Sequence, residues 1–80
     1  MEEIATLDQI ALGQDAEIIY LNAPEEFRAR LMSLGFIPGS RVKAVLESPW
    51  GDPVAYEICG AVIALRRTDA RTIGVKSAVV

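Results

Sequence analysis

Trp50 sits in the run Pro49-Trp50-Gly51-Asp52-Pro53, and a large aromatic in such a loop serves either as an anchor for a binding partner or as a lid over its own core. Arg66 and Arg67 are adjacent, with Arg71 close behind. Guanidinium groups grouped in this way can meet an acidic partner, lend positive charge to a nucleotide-hydrolysing site in trans, or simply stand solvated at the end of a strand. These residues favour recognition over catalysis.

The rest of the chain gives catalysis little to work with. There is no His, so the commonest proton-transfer group at neutral pH is missing. The carboxylate pairs Glu2-Glu3 and Glu25-Glu26 are neighbours in sequence, which suits solvation or the electrostatics of a helix start better than acid–base work. No catalytic residue is expected. A transition-metal site wants several converging nitrogen, sulfur or carboxylate ligands, and Cys59 is the only Cys, so no metal ligands are assigned. Cys59 itself, at a strand end, reads as a small buried hydrophobe. The glycines do not fall into a phosphate-cradling pattern, so no nucleotide or other cofactor is expected. A net charge of −3 argues against nucleic acid, whose binding rests on clustered cations.

Short elements must position these groups. Ile4 to Ile10 opens the chain, and Leu12-Gly13-Gln14-Asp15 reads as a turn. Ala16 to Leu21 is rich in β-branched and aromatic residues with apolar side chains on both faces, which predicts a central strand. Asn22, Pro24, Glu25 and Glu26 then mark a helix start, with Asn22 as the capping residue. Phe27, Leu31 and Leu34 recur at helical spacing and form an apolar stripe, and Gly35 stops the helix, so it covers about 24–34 and packs on the sheet. Pro38-Gly39 suits the centre of a type II turn.

Arg41 to Glu47 alternates, with Val42, Ala44 and Leu46 on one side and Lys43, Val45 and Glu47 on the other. After the Pro49–Pro53 loop, Val54 to Cys59 resumes the alternation with Val54, Tyr56 and Ile58 on one face. Gly60-Ala61 then makes a tight connection to a strand over Val62 to Arg66. A helical turn near Thr68–Arg71 leads to a last strand, Thr72 to Lys76. The count describes a mainly β fold, a small SH3-like antiparallel barrel with one inserted α-helix.

Eighty residues suffice for one core, so 1–80 is read as a single domain. No apolar run approaches the roughly 20 residues of a membrane-spanning helix. The acidic start Met1-Glu2-Glu3 is unlike a secretory signal, and a lone Cys suits a reducing compartment, so the reading is cytoplasmic.

With these pieces in order, the sequence resembles the FeoA family. The likeness is carried by Leu31-x-x-Leu34-Gly35-Phe36-x-Pro38-Gly39, Gly51-Asp52-Pro53, Ala64-Leu65-Arg66 and Ala70-x-x-Ile73-x-Val75, and runs from about Leu7 to Val75. Asp69 stands where the family is expected to carry Glu. The same barrel is similar to the carboxy-terminal domain of DtxR-type iron-dependent repressors. The resemblance implies a non-enzymatic accessory of ferrous iron transport. Its partner would be FeoB, the membrane transporter with a GTPase domain, met through Trp50, Asp52, Arg66 and Arg67. Two alternatives stand beside that reading. One is stimulation of the FeoB GTPase by Arg66 or Arg67; the other is a homo-oligomeric interaction module, aided by an open barrel edge and the tail Ala78-Val79-Val80.

Overall fold

The computed structural model describes residues 4–77. Met1-Glu2-Glu3 and the tail Ala78-Val79-Val80 lie outside the described residues. Six strands form one antiparallel sheet: β1 (Ile4–Thr6), β2 (Asp15–Leu21), β3 (Arg41–Glu47), β4 (Val54–Ile58), β5 (Ala61–Leu65) and β6 (Ile73–Ser77). Their order across the sheet is β1-β6-β2-β3-β4-β5. A 3-10 turn at Leu7–Gln9 follows β1, helix α1 (Glu25–Ser33) joins β2 to β3, and a single helical turn α2 (Arg67–Ala70) precedes β6. This is the mainly β, barrel-like architecture with an inserted helix that the spacing predicts, and β2 is the interior strand expected.

The core lies inside the curl of the sheet. Ala16 and Ile18 from β2, Val42 and Ala44 from β3, Val54, Tyr56 and Ile58 from β4, and Ile73 and Val75 from β6 all face it. Alternate residues of a strand point to one side, so β2, the first part of β3, β4 and β6 give alternate side chains to this core.

The start of α1 differs from expectation. The N-cap is Pro24, and no side-chain cap bond is made, so Asn22 does not cap. Glu25 and Glu26 do occupy the first turn, where the helix dipole favours negative charge.

The end of α1 corrects a second expectation. Leu34 is not in the apolar stripe: it is 41% exposed, while Phe36 is fully buried beside Leu31. Gly35 takes φ +109°, the left-handed conformation. Its N–H donates to the Met32 carbonyl at 3.1 Å, and the Phe36 N–H donates to the Leu31 carbonyl at 3.0 Å. This is a Schellman ending, whose usual companion is an apolar contact between the third-last helical residue and the second residue past the cap. Here those residues are Leu31 and Phe36. The chain doubles back, and Phe36 takes the place assigned to Leu34.

Pro38-Gly39 forms the expected type II turn, with Gly39 at φ +94° and the Ser40 N–H bonded to the Ile37 carbonyl at 3.0 Å. It delivers the chain into β3 at Arg41.

The alternation expected along β3 fails at its end. The β3–β4 register runs Ala44↔Tyr56 and then Leu46↔Ala55, which leaves Val45 as an extra residue, a β-bulge. Beyond a bulge, every side chain changes face. Leu46 is therefore 65% exposed, not buried with Val42 and Ala44, and Glu47 turns toward the barrel mouth.

The β4–β5 connection is Cys59-Gly60, one residue earlier than expected, closed by the pair Ile58↔Ala61. Both residues have positive φ, +50° and +80°, as a type I′ hairpin turn requires. Cys59 is consequently exposed and is not a core residue, its thiol lying toward the Gly35 carbonyl at 3.9 Å. A Cys in this conformation is strained by about 1 kcal/mol, whereas Asn tolerates it. Cys59→Asn is expected to raise the melting temperature by about 4–8 °C. An unchanged melting curve would show that the turn carries no such strain.

Candidate partner-binding site

Arg67 organises one end of the barrel. Its backbone N–H donates to Asp52 Oδ1 at 2.9 Å, its Nη1 to the Asp8 carbonyl at 2.9 Å, and its Nη2 to Glu47 Oε2 at 3.1 Å. Its Nε donates to the Gly51 carbonyl. One guanidinium thus ties together the 3-10 turn, the end of β3 and the β3–β4 loop. Glu47 is available for this only because the bulge at Val45 turned it inward.

Asp8 joins the same cluster from the other side. Its carboxylate accepts from Thr6 Oγ1 and pairs with Arg71 Nε at 3.6 Å. A cleft of about 280 Å³ opens here, lined by Asp8, Leu12, Glu47, Val54, Tyr56 and Arg67. Tyr56 forms part of its wall, its hydroxyl donating to the Leu7 carbonyl at 3.4 Å. Burial pushes the Tyr56 phenol up to about 12; the nearby Asp8 and Asp52 charges add to this and Arg67 opposes it, so the hydroxyl stays a neutral donor at ordinary pH.

The β3–β4 loop is braced on both strands. The Gly51 N–H donates to the Ser48 carbonyl at 2.8 Å, closing a turn around Pro49 and Trp50, and the Ser48 N–H donates to the Pro53 carbonyl at 3.2 Å. Gly51 and Asp52 are then held by Arg67. On this fixed base Trp50 is 90% exposed. Its ring covers none of the core, so of the two readings of this aromatic the lid has no geometric support.

The four expected recognition residues thus divide. Trp50 and Arg66 project into solvent, and Arg66 makes no ion pair among the described residues. Asp52 and Arg67 brace the loop that carries Trp50. Asp8 and Glu47 belong to the same brace and were missed by sequence reasoning. The one available signal was Val45-Leu46, two apolar neighbours where strict alternation asks for one.

Arg67→Lys should test the brace. An ammonium cannot reproduce three separately directed N–H bonds from one planar group. A loss of about 1–2 kcal/mol, or a melting temperature lower by about 5–15 °C, is expected. Trp50 fluorescence anisotropy should fall at the same time, and an unaltered anisotropy would mean that the loop stands without Arg67.

A small antiparallel barrel of six curled strands with one inserted helix defines an SH3-like fold. The FeoA domain profile matches residues 5–77, and the chain belongs to the FeoA family. It is 36% identical over 70 residues to a putative Fe(2+) transport protein A of Campylobacter jejuni, covering 88% of this chain and 95% of that one. It is also 34% identical over 70 residues to an Fe(2+) transport protein A/Fe(2+) transporter FeoB fusion protein of Porphyromonas gingivalis, where the match takes in 88% of this chain and only 8% of the fusion protein.

Among solved structures, FeoA of Chlorobium tepidum superposes with a TM-score of 0.87 at 31% identity, over 92% of this chain and 70% of that one. FeoA of Stenotrophomonas maltophilia, described as a prokaryotic SH3 domain protein and solved with zinc, gives 0.78 at 28% identity, over 88% and 87%. A manganese-dependent transcriptional repressor gives 0.83 at 18% identity over 96% of this chain and 43% of the repressor, a likeness of fold alone.

Proposed function

We propose that this chain is a non-enzymatic, cytoplasmic accessory of ferrous iron transport that binds the transporter FeoB, with the Trp50 loop and Arg66 as its contact surface. The observation that carries this reading is the relative in which a matching segment and FeoB share one polypeptide. Fusion keeps two partners at high effective concentration, an arrangement that serves proteins acting together. The site supports it from this side. A Trp held on a braced loop loses little conformational freedom on binding, and buried aromatics of this kind dominate interface energies. No described helix is long and apolar enough to cross a membrane.

Stimulation of GTP hydrolysis is a second reading, and here the geometry favours one arginine over the other. Arg67 makes a hydrogen bond from each nitrogen of its guanidinium, while Arg66 is exposed and free to reach a partner. Arg66→Ala should abolish any acceleration of hydrolysis, and a FeoB GTPase rate indifferent to this protein would remove that reading.

Calorimetric titration against the FeoB cytoplasmic region, with and without GTP, tests the main proposal. Saturable binding in at least one nucleotide state is expected. Heat of dilution alone in both states would assign the exposed Trp50 to some other partner.

A further inference from the structure

The sheet order ends on β5, whose five residues Ala61-Val62-Ile63-Ala64-Leu65 pair, among the described residues, with β4 alone. Sheet edges are commonly protected by Lys, Pro, a bulge or a cover, because a bare edge is a template for another strand. β5 has none of these. Its register with β4 is unbroken, it carries no charge, and Ala61, Val62 and Ala64 are exposed, Val62 to 62%.

The register determines which backbone groups are free. The two-residue turn at Cys59-Gly60 makes Ile58↔Ala61 a hydrogen-bonded pair, so by alternation Tyr56↔Ile63 and Val54↔Leu65 are also bonded pairs. The N–H and C=O groups of Val62 and Ala64 therefore point away from β4, out of the sheet.

We infer that β5 pairs antiparallel with β5 of a second copy of this chain, about a two-fold axis through Ile63. That arrangement sets Val62 against Ala64 of the partner subunit, and Ala64 against Val62 of the partner subunit. These are the residues with free groups, and the two pairs close four N–H···O bonds with none left over. Arg66 falls opposite Gly60 of the partner subunit, so no like charges meet across the axis. An isologous dimer requires a surface to complement itself, and this edge does so in both hydrogen bonding and charge. The other end of the sheet, β1, offers three residues among those described. Pairing one five-residue edge buries less than a permanent interface needs, so the dimer is a weak, concentration-dependent one.

Sedimentation equilibrium on the full chain tests this. The average mass should rise from the 8.7 kDa monomer toward twice that value with increasing concentration. Val62→Lys places a charge on the edge, and Ala64→Pro removes an N–H that β4 does not use. Both should remain monomeric across the same range with melting temperatures close to the parent's. Amide exchange supplies a readout independent of variants: the Val62 and Ala64 amides should slow as concentration rises, whereas the Ile63 amide, already bonded to β4, should not change. A parent chain that stays monomeric would overturn the inference. So would a dimer whose Val62 and Ala64 amides exchange as in the monomer, or one that both variants form equally well.

Discussion

Phe36→Ala is expected to remove about 3–5 kcal/mol of stability, the range for truncating a buried aromatic that leaves a cavity. Phe36 is fully buried, and through the Schellman ending it locks the end of α1 onto Leu31. Domains of this size are stable by only about 5–10 kcal/mol, so the variant should lose about a third or more of its stability and unfold at much lower urea. The contrast is Leu34→Ala two residues earlier, expected to cost only about 1 kcal/mol because Leu34 is 41% exposed and lies outside the core. Urea titrations followed by circular dichroism compare the two directly. Equal losses would contradict the assignment of the core to Phe36.

Trp50→Ala is expected to weaken FeoB binding by about 2 kcal/mol or more, roughly 30-fold, as hot-spot aromatics do when truncated. The melting temperature should hardly move, because the ring contributes nothing to the core. That combination separates a recognition residue from a structural one. Arg67→Lys should behave in the opposite way, lowering stability first and affecting binding only through the loop. If Trp50→Ala binds as tightly as the parent, the contact surface lies elsewhere on the barrel.

Much of the fold was legible because local rules and tertiary packing agree. The alternation from Arg41 predicts β3 to its observed bounds, Val54, Tyr56 and Ile58 are buried as their spacing implies, and Pro38-Gly39 dictates its turn. The failures occur where one residue resets the phase. Gly35 reverses the chain and exchanges Leu34 for Phe36, and Val45 bulges and exchanges Leu46 for Glu47. Periodicity carried across such a residue assigns the wrong faces beyond it, and only the apolar pair Val45-Leu46 hinted at one of the two resets. The site was legible in part for a different reason. Trp50 stands out by type alone, but the role of Arg67 depends on partners 15 to 59 residues away in sequence, which only the curled sheet brings together.

One feature of the strand order bears on how the protein is made. β6 lies between β1 and β2, pairing Ile4 with Lys76 on one side and Ile18 with Val75 on the other. While the chain is being synthesised, β1 therefore has no strand to join, and β2 keeps one flank open, until residues 73–77 have cleared the ribosome exit. Contacts this distant in sequence slow the search for the native pairing. The sheet is complete only after translation of β6, and until then its apolar inner face is exposed as aggregation-prone surface.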